Sequence, residues 1–440
     1  MFNIIYNFLE THNCIYELQF GFRSKHSTNH AILSITQKIK EALDNGSVPV
    51  GIFVDFQKAF DTVNHDILLT KLNYYGIRGS TNAWFRSYLT NRKQFVSING
   101  FESEQNLIRH GVPQGSVLGP LLFLIYINDL HVCIRNSTTH HFADDTNLLH
   151  VIHKNNRNRN PVRKLNTDLK CLNQWLIANK ISLNSTKTEL ILFRKISTLL
   201  PIMKIKLNGV MLRPSSEIKY LGIILDEHLT FQPHIKILNA KLKRANNLLS
   251  ISRYYVPEHI LLQIYYGQFY SHLTYGCQVW GHHLQKNNQT FILQKKALRL
   301  LTFSDYQAHA SPLFKKLKLL KLDDIIRIND MIFVHNAING NVPSHFKDYF
   351  SITQRIHGHN TINNPNSLCS IPHGSLNMPA AKTKTGEHAI KYVCSRTWNS
   401  LLKELSTKVI NSKPLIEQLP QDLKLFQLKK IIKEQFLIFY

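Results

Sequence analysis

Two hydrophobic rhythms alternate along the chain, and each marks its own kind of element. Ile32, Ile35, Ile39 and Leu43 recur at steps of three and four, the spacing that lines one face of a helix. Asp44-Asn45-Gly46-Ser47 ends that pattern as a turn. Val48 to Phe56 is an apolar run rich in β-branched residues, which predicts a buried strand with Asp55 at its end. A helix is predicted from His65 to Tyr75, closed by Gly76, and helical periodicity returns over Trp84 to Leu89. Gln94 to Ile98 alternates as a strand and runs into Asn99-Gly100, a hairpin dipeptide.

Gly111-Val112-Pro113-Gln114-Gly115-Ser116 reads as a glycine-rich loop, followed by an apolar helix over Leu121 to Leu130. After Thr138 a strand–turn–strand unit surrounds Phe142-Ala143-Asp144-Asp145. Residues 154 to 161 form a basic polar loop, and Leu165, Leu169, Leu172, Trp175 and Leu176 share one face of a helix over 163–179. Strands are expected at Glu189–Phe193 and Tyr220–Leu225, completing an α+β region that ends near 225. The chain then turns helical and basic. Ile235, Leu238, Leu242, Ala245 and Leu249 make an apolar stripe from which Lys236, Lys241, Lys243 and Arg244 stand off. Residues 345 to 385 are rich in Asn, Ser, Pro and His, and an amphipathic pattern resumes at Tyr392, Trp398, Leu401 and Leu402.

Composition adds one strong fact. Apolar residues make up 43% of the chain and charged ones 18%, as in ordinary globular proteins, but 53 Lys and Arg face only 28 acidic residues. A net charge of +25 points to a polyanionic partner, in most cases nucleic acid. The longest strongly apolar stretch, Leu121 to Ile127, is far short of the roughly 20 residues that span a bilayer. The first residues lack a basic n-region and a cleavage site, so an intracellular protein of the nucleus or cytoplasm is expected, without membrane. The six cysteines form no CxxC pair and the 23 histidines show no zinc-finger spacing with them, which predicts free thiols and no structural zinc.

Candidate chemistry rests on Asp55, Asp144 and Asp145, each at the end or interruption of an apolar strand. Taken singly, such residues read as caps or turn formers. Two adjacent carboxylates in a tight hairpin repel, however, and a fold tolerates them when divalent cations neutralise the charge. Two Mg²⁺ about 3.5–4 Å apart stabilise both oxygens of an in-line phosphoryl displacement. Magnesium suits such a site because it takes a few carboxylates and completes its shell with phosphate oxygens and water.

Six ordered blocks carry a resemblance to the reverse transcriptases of non-LTR (LINE-type, jockey- and CR1-like) retrotransposons. FVDFQKAFDTVNHDILLTKL at 53–72 resembles their motif A, HGVPQGSVLGPLLFLIYINDL at 110–130 motif B, and HHFADDTNLL at 140–149 motif C. QFGFRSKHSTNHAI at 19–32 resembles the block upstream, NQWLIANKISLNSTKTELILF at 173–193 motif D, and IKYLGIILD at 218–226 the primer-grip motif E. QKKALRLL at 294–301 and SRTWNSLL at 395–402 are similar to the family's thumb and tail.

The resemblance implies an α+β right-hand polymerase: partial fingers over 1–50, a palm of antiparallel sheet with packed helices over 51–226, a helical thumb-like region over 227–335 and a basic C-terminal region over 336–440. It implies an RNA-directed DNA polymerase that uses an RNA template, a DNA primer, dNTPs and two Mg²⁺, with Mn²⁺ as a substitute. Asp55, Asp144 and Asp145 would hold the metals together with the Phe56 carbonyl, and Phe60 falls at the family's sugar gate. Gln114 and Gly115 would meet the nucleotide and template, and Arg23 would assist at the triphosphate. Lys187 would protonate the leaving group, and Tyr220, Leu221 and Gly222 would hold the primer end. The family's basic finger residues and endonuclease precede the block resembling QFGFR, so an N-terminally truncated polymerase is the expectation. Its alternative is a catalytically dead nucleic-acid-binding remnant. An RNA-dependent RNA polymerase is disfavoured by Phe60 and by FADD in place of GDD, and a metal-dependent nuclease has no use for the PQG loop.

Overall fold

The computed structural model describes residues 1–153, 162–196, 198, 203–284, 289–353 and 375–408, without the side chains of 404–408. The chain divides into two compact units, Met1–Ala31 with Gly46–Ile218, and Ile32–Asn45 with Lys219–Tyr440. The first opens with α1 (Phe2–Thr11) and the first turn of α2 (Thr28–Asp44), then β1 (Val48–Val54). All but one residue of β1 is buried, because strands flank it on both sides and helices pack on the sheet, which suits a continuous apolar run. Helix α3 (His65–Tyr74) starts where the Asn64 side chain accepts the Ile67 N–H at 3.1 Å, and α4 (Gly79–Leu89) follows.

The alternating segment after α4 folds as a ribbon in two pieces. β2 (Lys93–Gln94) pairs with β5 (Asn106–Leu107), and β3 (Ser97–Ile98) with β4 (Phe101–Glu102) around the expected Asn99-Gly100 turn. The expected single strand breaks because the Ser103 hydroxyl takes the Val96 N–H at 2.9 Å. Helix α5 (Leu118–Ile127) starts ahead of Pro120, whose missing N–H costs nothing in a first turn. After α6 (Leu130–Cys133) come β6 (Thr138–Phe142) and β7 (Asp145–Ile152), then α7 (Arg163–Ala178), which buries the expected leucine and tryptophan face. The basic loop 154–161 lies outside the described residues. β8 (Glu189–Leu192), β9 (Lys206–Leu207), β10 (Val210–Met211) and β11 (Pro214–Ser215) complete the unit. The five-stranded sheet runs β11-β8-β1-β7-β6, antiparallel except between β11 and β8. The α+β class is as expected.

β12 (Glu217–Tyr220) and β13 (Ile223–Asp226) correct the strand expected over Tyr220–Leu225, because the chain reverses at Leu221-Gly222 with φ of 44° and 83°. Positive φ at both central residues gives the turn whose twist matches a hairpin. The second unit continues with α8 (Gln232–Ser252), α9 (Glu258–Ile264) and a π-helical segment (Tyr265–Tyr270) leading into α10 (Ser271–Thr274). Next come α11 (Cys277–Trp280), α12 (Gln289–Leu301), α13 (Ala310–Leu317), α14 (Leu322–Ile338), α15 (Lys384–Glu387) and α16 (Ile390–Lys408). The apolar stripe of α8 is buried as the spacing predicts. Ile32–Asn45 joins this unit through polar anchors. Asp44 accepts from the Lys382 N–H and the Thr383 hydroxyl, and buried Lys40 donates to the His388 carbonyl at 2.8 Å. Among the described residues no helix is long and apolar enough to cross a membrane.

Candidate active site

Strand pairing brings the three aspartates to one end of the sheet. Val54 of β1 lies opposite Thr146 of β7, so that one step on Asp55 comes level with Asp145. β6 and β7 join through Ala143-Asp144, with Phe142 opposite Asp145. The turn is held from outside. Ala143 has φ +55°, a left-handed conformation that costs a non-glycine residue roughly 1–2 kcal/mol. The Gln19 side-chain carbonyl accepts the Ala143 N–H at 3.0 Å and the Gly21 N–H at 2.8 Å. Backbone bonds from Phe20 N–H to the His141 carbonyl and from His141 N–H to the Leu18 carbonyl lay this segment along β6. Across the hairpin, His141 Nδ1 and the Thr146 hydroxyl are 2.9 Å apart, and burial pushes His141 down to about 3, so the ring is neutral.

Electrostatics single out the same residues. Partial withdrawal from water and the Asp55 charge raise Asp144 above the usual carboxylate range. Asp145 is pushed up to about 6 by withdrawal from water and by the charges of Asp144 and Asp55. The folded state thus holds these protons more tightly than the unfolded chain. The stability they contribute is complete at low pH and is lost as the pH rises through about 6. In metal-free buffer, Asp145→Asn should therefore gain in melting temperature relative to the parent between about pH 4 and pH 7. A pH-independent difference across that window sinks this assignment.

The Asp55–Phe56–Gln57 segment pairs with Ser182–Asn184. Gln57 N–H donates to the Ser182 carbonyl and Asn184 N–H to the Asp55 carbonyl. By the antiparallel pattern, the Phe56 carbonyl then faces the β7 side, where the acidic turn lies. Among the described residues, no three carboxylate, imidazole or thiol groups are arranged to hold a metal ion. Carboxylate and main-chain oxygens are nevertheless the donor types that a hard cation takes when it draws part of its shell from a phosphate.

Lys187, Phe60, Gln114, Gly115 and Arg23 belong to the same first unit, and Tyr220, Leu221 and Gly222 to the second. Lys187 is exposed on the loop that Asn184 ties to Asp55. Phe60 stacks on Phe123 with ring centroids 4.2 Å apart and meets Phe22 edge-on at 6.1 Å. Gln114 donates to the Asp61 carboxylate at 2.8 Å and borders a cavity of about 670 Å³ shared with Arg92, Lys93 and His110. Gly115, at φ +81°, has no atom within 4 Å of where a Cβ would stand, so its backbone face is open. Arg23, expected to assist at the triphosphate, is bonded within the first unit. It grips Glu10 through Nε and Nη2 at 2.8 Å and the Tyr16 and Gln19 carbonyls through Nη1, so four bonds engage its fork. Tyr220, Leu221 and Gly222 belong to the hairpin entering the second unit, where the Tyr275 hydroxyl donates to the Leu221 carbonyl at 2.5 Å.

Residues that the motifs did not single out do much of the positioning: Gln19 and Gly21 on the acidic turn, Asp61 on Gln114, and Asn184 with Thr188 on Asp55. Each lies inside one of the quoted blocks, where it was present only as an unremarked polar or glycine residue. One aspartate closing a central strand and two on the adjacent hairpin make the palm of a nucleic-acid polymerase. A family model described as reverse transcriptase (RNA-dependent DNA polymerase) matches residues 1–225, and the chain belongs to that family, one that works with divalent metal ions.

The chain is 32% identical over 351 residues to the probable RNA-directed DNA polymerase from transposon BS of Drosophila melanogaster, covering 73% of this chain and 37% of that protein. The RNA-directed DNA polymerase from mobile element jockey of the same fly is 31% identical over 320 residues, 70% of this chain and 34% of its own. The Pol polyprotein from type-1 retrotransposable element R1 of Bradysia coprophila is 27% identical over 289 residues, 63% and 27%. The matches thus span little more than a third of the first two relatives. They bear out the resemblance to non-LTR reverse transcriptases.

Proposed function

We propose that this chain catalyses RNA-directed DNA synthesis, extending a DNA primer on an RNA template with deoxynucleoside triphosphates. The convergence of Asp55, Asp144 and Asp145 at one sheet end carries this reading. Two Mg²⁺ held by these carboxylates and the Phe56 carbonyl, with Mn²⁺ as a substitute, would stabilise the attacking and leaving oxygens. The primer 3′-hydroxyl attacks the α-phosphate and pyrophosphate departs, with Lys187 donating the proton that the leaving group takes up. Gln114, aimed by Asp61, donates to the incoming nucleotide, and Gly115 leaves room for the template backbone. Arg23 acts as a brace between α1 and the segment carrying Gln19. The Tyr220-Leu221-Gly222 turn holds the primer end, and the lysines of α8 contact the backbone of the hybrid. A polymerase that copies RNA into DNA would act inside the cell, in the nucleus or cytoplasm.

Primer extension on an RNA template with Mg²⁺ and dNTPs tests the proposal. Failure to incorporate with Mg²⁺ or with Mn²⁺ overturns it and leaves a binding remnant. Phe60→Val refines it. Phe60 rests on Phe123, and if its ring excludes a 2′-hydroxyl the variant should cut discrimination against ribonucleotides by about a hundredfold. If the ring serves only as core, thermal stability falls and sugar selectivity does not change.

A further inference from the structure

The second unit exposes a cluster of aromatic rings to water. Helices α8 and α12 pack along one another, and two hydrogen bonds give their sense. Thr290 donates to Asn239, and Asn246 donates to the Leu293 carbonyl one to two turns further along both helices. They run parallel, so their C-terminal ends come together. There Arg253, just past α8, lies 4.6 Å from the ring centre of Phe303, just past α12, and 5.5 Å from that of Tyr254. Arg299 lies 6.0 Å from the ring of Tyr306. The rings face water, with exposures of 76% for Tyr254, 82% for Tyr255, 52% for Phe303 and 76% for Tyr306.

A lone exposed aromatic means little, but four at one helix-pair end, three of them beside guanidinium groups, form a patch of a functional kind. We propose that this end of α8 and α12 is a stacking platform for unpaired bases of single-stranded nucleic acid, a site separate from the acidic centre. Aromatic faces offer stacking to any base and arginines pair with phosphate, the combination that binds single strands without regard to sequence. A duplex keeps its base faces stacked inside and would use the arginines only. Tyr and Arg are also common in protein interfaces. The chain's charge of +25 favours a polyanion over a protein, with Arg253, Arg299, Lys295 and Lys296 set against Asp305 and Glu258 in the local segments.

The test is fluorescence anisotropy of the full chain with labelled 12-residue oligo(rU) and oligo(dT), in EDTA so that catalysis plays no part. Tyr254→Ala/Tyr255→Ala should weaken binding of both oligonucleotides about 10- to 100-fold, given the stacking energy of one or two bases. Tyr254→Phe/Tyr255→Phe should restore it, and a blunt duplex should bind parent and variants alike. A 5-iodouracil oligonucleotide should cross-link to the peptides holding Tyr254 or Phe303. Unchanged single-strand affinity in the alanine variant, with cross-links confined to residues 1–226, overturns the proposal. So does loss of self-association by sedimentation without loss of oligonucleotide binding, which would make the patch a protein interface.

Discussion

Asp144→Asn should lower primer extension by about a thousandfold or more, roughly 4 kcal/mol of transition-state stabilisation, while the fold melts no lower than the parent does. Asparagine keeps the shape of the side chain at the turn and removes its charge. The hairpin does not depend on that charge, because its geometry is set by the Phe142–Asp145 register and by Gln19 on Ala143. The substitution also removes one of the two charges that raise Asp145, so Asp145 should ionise below about 6 in the variant. An NMR titration of that carboxyl separates this electrostatic effect from misfolding. Extension within tenfold of the parent would remove Asp144 from the catalytic set.

The palm was legible because its chemistry is written in short runs. An apolar strand ending in aspartate, a Pro-Gln-Gly loop and an acidic pair between two apolar stretches each imply an element and a charge, and β1, the loop and the β6–β7 hairpin follow them. Pairing among distant strands decided what was not legible. Nothing in the composition of Leu18–Gly21 says that it runs beside β6, and only that placement turns Gln19 into a ligand of two backbone N–H groups. The partners of Arg23 were hidden for a related reason. An arginine near a polymerase motif suggests phosphate, but Glu10 lies one helix earlier and meets it in bidentate fashion, with only 9% of the arginine side chain exposed. The Tyr220–Leu225 reading failed on backbone conformation, since leucine rarely adopts the positive φ that Leu221 takes in the turn.

Gly21→Ala should reduce activity by about a hundredfold with only a modest loss of stability. A Cβ at Gly21 would stand 2.3 Å from the Ala143 backbone nitrogen and 3.0 Å from its Cα, both in the turn that carries Asp144. The obstacle is backbone, so no side chain can swing aside, and the hairpin or the Leu18–Gly21 segment must shift by about an ångström. Displacements of that size cost on the order of a hundredfold where reacting groups must be aligned. Gln19→Leu offers an independent route to the same turn. It keeps the bulk but strips the Ala143 and Gly21 N–H groups of their shared acceptor, at about 1–3 kcal/mol for each one left buried and unpaired. That loss should appear mainly in thermal stability, and the alanine loss mainly in kcat. If Gly21→Ala retains full kcat, the Gln19-to-Ala143 contact does not position the acidic turn, and the segment resembling QFGFR needs another role.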